Sequence, residues 1–85
     1  MIRSDDAAPH LRGSAVVVTG VGDRGQAGET VARAFAQTGA VVHCLGRGNN
    51  VRERVAELIA DGMTVQAHVV DLTDFDATAR VASTI

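Results

Sequence analysis

Apolar and polar positions along this chain form short segments of two kinds that alternate from one end to the other. Three segments, residues 15–19, 41–45 and 64–70, are rich in Val, Ala and Leu and have no consistently polar side, a pattern typical of strands buried in a parallel sheet. Each is followed by a segment whose apolar residues recur at helical spacing. The order predicts β-α-β-α-β-α, an α/β fold with three parallel strands that forms half of a doubly wound sheet.

The three predicted helices carry apolar stripes, and two of them have clear ends. The first helix is predicted from Glu29 onward. Gly39 and Gly62 follow the first two stripes and predict where those helices stop, because glycine readily adopts the left-handed conformation that closes a helix. The stripes comprise Val31, Ala32 and Phe35 in the first helix, Val51, Val55, Leu58 and Ile59 in the second, and Phe75, Ala79 and Ala82 in the third.

Polar residues predict how the second and third helices begin. Asn50, with Glu53 three residues later, predicts a capping box for the second helix. Thr73 with Asp76 predicts a similar pair at the start of the third. The charged residues of the second helix predict a solvated surface; they are Arg52, Glu53, Arg54 and Glu57.

Composition allows one small domain and excludes several classes of partner. The chain has 85 residues, of which 46% are hydrophobic and only 2% aromatic, so the core is expected to consist of Val, Ala, Leu and Ile. The net charge is −2 with both signs interspersed, which offers no electrostatic surface to nucleic acid or to an anionic membrane. No apolar run is long enough to cross a bilayer.

The first residues and the cysteine lead to an expected location. Residues 1–14 lack the apolar segment of a signal peptide and are interpreted as a polar leader, with the folded portion over residues 15–85. Cys44 is the only cysteine and lies in an apolar run, so it cannot form an internal disulfide. A reducing, cytoplasmic location therefore fits best.

The candidate chemistry lies in the glycine-rich turn after the first strand, Thr19-Gly20-Val21-Gly22-Asp23-Arg24-Gly25-Gln26-Ala27-Gly28. A buried strand that leads through such a turn into a helix presents backbone N–H groups and a positive helix end to a phosphate. Gly28 lies eleven residues before Gly39, so it is predicted to be the glycine that lets the helix pack closely on the strand. The glycines left for the turn itself, whose backbone approaches the ligand, are Gly20, Gly22 and Gly25.

These segments resemble the opening of the short-chain dehydrogenase/reductase family. Leu11-x-Gly13 followed by Ala15-Val16-Val17-Val18-Thr19-Gly20 is similar to the family's first strand and turn, and Ala32-x-x-Phe35-Ala36-x-x-Gly39-Ala40 is similar to its next helix. The resemblance runs from Leu11 to the end of the chain but covers only the N-terminal, cofactor-binding part of a family member. It implies a Rossmann-type fold and an NAD(P)-dependent oxidoreductase that acts on a carbonyl or alcohol.

The turn departs from the family's usual pattern, T-G-x-x-x-G-x-G. Here five residues separate Gly20 from Gln26-Ala27-Gly28, and Gln26 stands where the middle glycine is expected. A longer turn of this kind resembles the enoyl-acyl-carrier-protein reductase branch, which is therefore an alternative. The phosphate-binding role does not depend on the choice, because backbone N–H groups perform it.

The residues after the second strand predict which nicotinamide cofactor binds. An NAD-preferring fingerprint has Asp or Glu at this place to bind the ribose 2′-OH, but this chain has Gly46 followed by Arg47. A small residue and a guanidinium favour a 2′-phosphate, and Arg24 in the turn adds a second cation. The resemblance implies the same preference for NADP over NAD, since NADP-using members carry basic residues at these two places. The other interpretation is that Arg47 is only a solvated charge.

The residues after the third strand predict contacts with the adenine ring. Val70-Asp71-Leu72-Thr73-Asp74 is similar to the family's D-[LV]-T-D segment, which implies that Asp71 accepts from the adenine amino group and that the Leu72 backbone donates. Alternatively, Asp71 only caps the next turn. The candidate cofactor-binding residues are Thr19, Gly20, Gly22, Arg24, Gly25, Gln26, Ala27, Gly28, Gly46, Arg47, Asp71 and Leu72.

The residues with which the family performs its chemistry are missing. Its members use a Tyr-x-x-x-Lys pair together with a Ser and an Asn, and this chain contains no Tyr and no Lys. We therefore expect the chain to be inactive alone and hypothesise that it is a fragment of an oxidoreductase. The alternative is a non-catalytic nucleotide-binding or partner-binding module.

Several other features lead to structural rather than catalytic expectations. The first strand is expected to leave one sheet edge open, so an oligomer partner or the rest of such an enzyme is expected to cover it. His43 and His68 lie on predicted strands and are interpreted as packed rather than catalytic. Cys44 is interpreted as buried rather than reactive. No Cys/His cluster has metal-ligand spacing.

Overall fold

The structure is a computed structural model that describes residues 12–22 and 27–85. The predicted order of elements is confirmed, with α1 beginning before the predicted Glu29, β2 extending to Gly46, and β3 one residue shorter than predicted at each end. The elements are β1 (Ala15–Thr19), α1 (Ala27–Ala36), β2 (Val41–Gly46), α2 (Asn50–Ala60), β3 (Val65–Val69) and α3 (Phe75–Thr84).

The three strands form one parallel sheet, as predicted, and their order in the sheet is β1-β2-β3. Val18 pairs with Cys44, and Val17 pairs with His43. Paired residues of parallel strands point to the same side, and successive residues point to opposite sides. The sheet therefore has one face that includes Val18 and Cys44, called here the covered face, and one that includes Val17 and His43, called here the α3 face.

The core lies between the covered face and the helices α1 and α2. Val42 and Cys44 of β2 are completely buried there. Ala32 of α1 and Leu58 of α2 are completely buried against them and belong to the same cluster. Most residues of the stripes predicted for these two helices thus face the sheet, but Val31 and Ile59 are 41% and 53% exposed and do not pack against it.

The third helix forms as predicted, but its apolar stripe is not buried. No residue of α3 is buried, and Phe75 at its start is 82% exposed. The spacing of Phe75, Ala79 and Ala82 gives α3 an apolar side, but the described residues supply no surface that buries it. All three residues of the predicted stripe are therefore exposed in the described fold.

Both predicted helix starts differ from the observed ones. Helix α2 begins at Asn50, and the residue before it, Asn49, already has helical dihedral angles and makes no side-chain capping bond; a helical residue cannot aim its side chain back at the first free N–H groups. The cap position of α2 is therefore Asn49, one residue before the predicted Asn50. For α3 the cap is Asp74, which is extended and accepts from the Ala77 N–H at 3.0 Å, rather than the predicted Thr73.

The predicted helix ends are observed. Gly39 and Gly62 both adopt a φ of +88°, the left-handed conformation that glycine takes after a helix. Ahead of β1, the Gly13 N–H donates to the Gly39 carbonyl at 2.9 Å, and the Ser14 carbonyl accepts from Val41 at 2.9 Å. Residues 13 and 14, the last of the predicted leader, are thus bonded to the segment that enters β2. Residues 1–11 of the leader lie outside the described residues.

Arg54 corrects the expectation that the charges of α2 form a solvated surface. It is only 7% exposed. Its guanidinium lies 3.0 Å from the Glu57 carboxylate and 3.4 Å from that of Glu53. Burial of an arginine requires such partners, because an unpaired charge is costly to remove from water.

Across residues 12–22 and 27–85, none of the helices combines the length and apolar character needed to cross a bilayer.

Candidate functional site

The carboxyl ends of the three strands meet at one edge of the sheet and are tied together by backbone hydrogen bonds. The Val21 N–H, just after β1, donates to the Leu45 carbonyl at 3.1 Å. The Val70 N–H, just after β3, donates to the Gly46 carbonyl at 2.8 Å. These bonds bring the start of the glycine-rich turn and the two following loops to the same place, where ligands bind in open α/β sheets.

The start of α1 packs closely on the turn, as predicted for Gly28. A Cβ at Gly28 would lie 2.7 Å from the Gly20 carbonyl oxygen and 3.1 Å from the Val21 Cα. Gly20 itself has a φ of +72°, which favours glycine because other residues are strained there. The chain therefore needs glycine both to turn and to let the N-terminus of α1 approach the end of β1.

Gly46 is packed even more tightly, at the end of β2. A Cβ at this position would overlap the Val21 carbonyl oxygen and would lie 2.9 Å from the Val51 Cβ. Neither neighbour is the free end of a flexible side chain. A carboxylate residue, which an NAD-preferring site places here, therefore does not fit unless the turn moves.

Two open hollows lie at this edge of the sheet and share Gly20, Gly46 and Arg47. The first has a volume of about 330 Å³ and continues toward the loop after β3. The second has a volume of about 340 Å³ and continues toward the turn and the start of α2. The first is lined by Thr19, Gly20, Leu45, Gly46, Arg47, Val70, Asp71, Leu72 and Thr73, and the second by Gly20, Val21, Gly22, Gly46, Arg47, Gly48 and Asn50.

Asp71 is held in place by Thr73. Its Oδ1 accepts from the Thr73 N–H at 2.9 Å and from the Thr73 hydroxyl at 2.7 Å. These two bonds, and secondarily the nearby Arg47 guanidinium, lower the pKa of the Asp71 carboxyl below its ordinary value. Asp71 thus caps the next turn, as one of the two interpretations predicts. The second carboxylate oxygen of Asp71, Oδ2, lies on the side of Arg47.

Arg47 reaches across the first hollow toward that oxygen. The distance from its Nη2 to the Asp71 Oδ2 is 3.7 Å, with the Arg47 side chain 81% exposed and that of Asp71 43% exposed. An exposed ion pair of this length is weak. The guanidinium is therefore available to an anion that enters the hollow.

Most of the candidate cofactor-binding residues lie around these two hollows or border them. Ala27 and Gly28 are the first residues of α1, so their backbone N–H groups belong to the positive helix end that can face a phosphate. Three candidates, Arg24, Gly25 and Gln26, lie outside the described residues. The residues that line a hollow are Thr19, Gly20, Gly22, Gly46, Arg47, Asp71 and Leu72.

A pair of histidines on the α3 face was missed by the sequence analysis. The Nδ1 of His43 and the Nε2 of His68 lie 3.0 Å apart, with ring centroids 5.2 Å apart and ring planes inclined by 27°. The two nitrogens are therefore within hydrogen-bond distance, and the tautomers of the two rings decide which of them donates. Burial, and secondarily the charge on His68, lowers the pKa of His43. The alternation of strand residues could have placed both rings on one face, but only the strand register brings them into contact.

Cys44 is buried in the core, as expected. Burial raises the pKa of its thiol to about 11, so the thiolate that reacts with electrophiles is not formed at neutral pH. In the described part of the chain, no three side chains of His, Cys, Asp or Glu converge as metal ligands do. The hollows at the sheet edge are therefore the candidate site.

Comparisons with known proteins agree with the resemblance found in the sequence. No family model matches the chain. Over 76 residues the chain is 42% identical to a 1-deoxy-11-beta-hydroxypentalenate dehydrogenase from Streptomyces arenae, a match that covers 88% of this chain and 26% of that protein.

Solved structures give the same result for the fold. A metagenomic short-chain oxidoreductase in complex with NADP superposes with a TM-score of 0.77 at 32% identity, over 87% of this chain and 33% of that one. A short chain dehydrogenase from Mycobacterium smegmatis superposes with a TM-score of 0.81 at 28% identity, over 92% of this chain and 33% of that one. The chain thus spans between a quarter and a third of the length of these relatives.

Proposed function

We propose that this chain, whose sequence and fold are those of the cofactor-binding part of the short-chain dehydrogenase/reductase family, binds NADP(H) in the hollows at the carboxyl end of its sheet. In that role it is the cofactor-binding part of an oxidoreductase that acts on a carbonyl or alcohol. The nicotinamide supplies the hydride chemistry when bound. The residues of this chain bind and orient the cofactor.

The observation that carries this proposal is the tight packing at Gly46 beside the exposed guanidinium of Arg47. A Cβ at Gly46 would overlap the Val21 carbonyl, so the site lacks an acid that would accept from a ribose 2′-OH and repel a 2′-phosphate. Arg47 lines both hollows and offers the planar donor set that suits a phosphate. Together these features favour NADP over NAD, and the metagenomic relative was solved with NADP.

Other residues fit the remaining parts of a dinucleotide. The first N–H groups of α1, which begins at Ala27, have no partner within their own helix and suit the pyrophosphate. Asp71 and the exposed Leu72 border the first hollow, where an adenine ring has an apolar surface on one side and an acceptor for its amino group. Arg24, in the turn, is the second cation that we propose for the 2′-phosphate.

The experiment that tests this proposal compares two nucleotides on the full chain. Dissociation constants for NADPH and NADH are measured by nucleotide fluorescence or calorimetry. We expect NADPH to bind more tightly, and Arg47→Ala to remove most of the difference. Arg52→Ala is the matched control, because Arg52 is an exposed arginine of α2 that lines neither hollow. Binding of neither nucleotide would contradict the proposed site, and equal binding of both would contradict the NADP preference.

The resemblance to the family implies that catalysis depends on a Tyr-x-x-x-Lys pair. This chain has no Tyr and no Lys, so we propose that it binds cofactor but does not transfer hydride alone. An assay that follows NADPH absorbance with simple aldehydes and ketones is expected to show no turnover by the chain alone. Turnover would show that a different set of groups acts on the substrate.

The proposal also includes a covering for the α3 face. Beside the exposed Val17 of β1 lies an apolar hollow of about 340 Å³ that reaches α3. Unpaired strand edges and apolar faces of this kind favour association. We propose that further elements of the oxidoreductase, or a second subunit, cover this surface.

A further inference from the structure

The loops after β2 and β3 place opposite charges on the two sides of the first hollow. Arg47 follows β2 directly, Asp71 follows Val70, and the Val70–Gly46 backbone bond of 2.8 Å holds the two loops together. Across the gap, Arg47 Nη2 and Asp71 Oδ2 lie 3.7 Å apart. The residue proposed to recognise the 2′-phosphate thus already has an anionic neighbour within the protein.

The carboxylate of this pair is more firmly held than the guanidinium. Both donors of Thr73 bind the Asp71 Oδ1, so Oδ2 is left facing Arg47. Asp71 is ionised at neutral pH, as an aspartate ordinarily is, and the bonds from Thr73 favour the charged form further by lowering its pKa. Arg47, in contrast, has an 81% exposed side chain whose contact with that oxygen is long, so this contact can be broken at little cost.

A phosphate that enters the hollow competes with Asp71 for the same guanidinium. Hydrogen bonds between arginine and phosphate are charge-assisted and often bidentate, whereas the Arg47–Asp71 contact is long and exposed to solvent. The phosphate therefore displaces Asp71 as the partner of the guanidinium, but it then lies beside the fixed negative charge of Asp71. A cofactor without the 2′-phosphate meets neither the competition nor the repulsion.

We infer that Asp71 is a specificity-determining residue, a fixed counter-charge that pairs with Arg47 in the free protein and reduces the preference for a 2′-phosphorylated cofactor. This inference rests on the proposed function of the site. Its consequence is unusual for a residue expected to contact adenine: removal of the Asp71 charge strengthens the discrimination between NADPH and NADH.

The test is the ratio of the NADH and NADPH dissociation constants on the full chain, measured for Asp71→Asn, for Arg47→Ala and for the double variant. The two nucleotides share the adenine, so an altered adenine contact cancels in this ratio. We expect Asp71→Asn to raise the ratio about two- to fivefold, the range for a weak exposed ion pair. In the Arg47→Ala background we expect the same substitution to have a clearly smaller effect, as coupled residues do.

Two further measurements make the result specific. Asp76→Asn is the matched control, because Asp76 is an exposed carboxylate in the first turn of α3 that lines neither hollow; its ratio is expected to equal that of the unaltered chain. Raising the salt concentration is expected to shrink the effect of Asp71→Asn, since exposed charges are screened. Asp71→Ser removes the same charge and is expected to change the ratio in the same direction. Agreement between the two variants would show that the effect comes from the charge and not from a disturbance of the turn by Asn.

Two outcomes would contradict the inference, and they differ in what they imply for the proposed function. If the unaltered chain binds neither nucleotide, the proposed function fails and this inference fails with it. If both nucleotides bind but Asp71→Asn and Asp71→Ser leave the ratio unchanged or lower it, the proposed function stands and the inference about Asp71 is wrong.

Discussion

The helices on the two faces of the sheet have similar apolar patterns but reach very different degrees of burial. On the covered face, Cys44 of β2 is completely buried beneath α1 and α2, together with Leu58. On the α3 face, Val17 is 47% exposed and α3 buries none of its residues. All three helices have apolar stripes at helical spacing. A stripe therefore indicates which side of a helix can be buried, but the stripe alone does not show that anything covers it.

The largest effect is expected from a truncation on the covered side. Leu58→Ala removes a fully buried side chain and is expected to lower the free energy of unfolding by about 2–5 kcal/mol, the sum of lost burial and a residual cavity. Phe75→Ala on α3 is the contrasting variant, and because Phe75 is 82% exposed its effect is expected to stay within about 0.5 kcal/mol. Urea denaturation measures both. Equal losses would show that α3 is packed, and the contrast between the faces would disappear.

A somewhat smaller effect is expected at the junction of the covered face and the site. Gly46→Ala places a Cβ against the Val21 carbonyl and the Val51 Cβ, so it is expected to cost about 1–3 kcal/mol of stability and to weaken NADPH binding. Gly48→Ala is the matched control, because a Cβ there has open space around it. If the two variants are equally stable, the close approach of the turn to β2 is not required.

The helix caps allow a comparison between α2 and α3. Asp74 accepts from the Ala77 N–H. Asp74→Ala is therefore expected to lower the free energy of unfolding by about 1 kcal/mol and to reduce the helicity at the start of α3. Asn49→Ala is expected to have almost no effect, since Asn49 makes no capping bond. Thermal unfolding followed by far-ultraviolet circular dichroism distinguishes them. A larger loss for Asn49→Ala would reverse the assignment of the caps.

The smallest effect near neutral pH is expected from His43. Its pKa is lowered from 6.5 in the folded state, so the unfolded chain binds the proton more readily. Stability is therefore expected to fall as the pH drops through 6.5 toward the folded pKa, with a slope of at most about 1.4 kcal/mol per pH unit. His43→Gln is expected to flatten this part of the stability profile. An unchanged profile in that variant would show that another group is responsible.

The order of elements and the place of the site could be predicted because they depend on local patterns. Alternating apolar strands and amphipathic helices imply a parallel sheet, and a parallel sheet brings the residues that follow its strands to one edge. Gly46, Arg47 and Asp71 therefore fall around the same hollow. The close approach at Gly28 could also be predicted, because it follows from the length of α1.

The features that could not be predicted depend on contacts between distant segments or on small backbone differences. The burial of Arg54 depends on how α2 lies on the sheet, and its charged neighbours in sequence suggest a solvated surface instead. Asn49 and Asp74 differ in dihedral angles rather than in chemical type, so residue identity alone does not show which of them caps a helix. The contact between His43 and His68 depends on strand register.

That contact also makes the alignment of two strands observable at a single hydrogen atom. His43 is paired in the sheet with Gln66, and His68 is paired with Leu45. A slip of β3 by one residue would turn the His68 ring to the opposite face of the sheet, and the hydrogen bond between the two imidazoles would be lost. A proton held between two ring nitrogens has its own magnetic resonance signal. The appearance of that signal during refolding would therefore mark the moment at which β2 and β3 reach their native alignment.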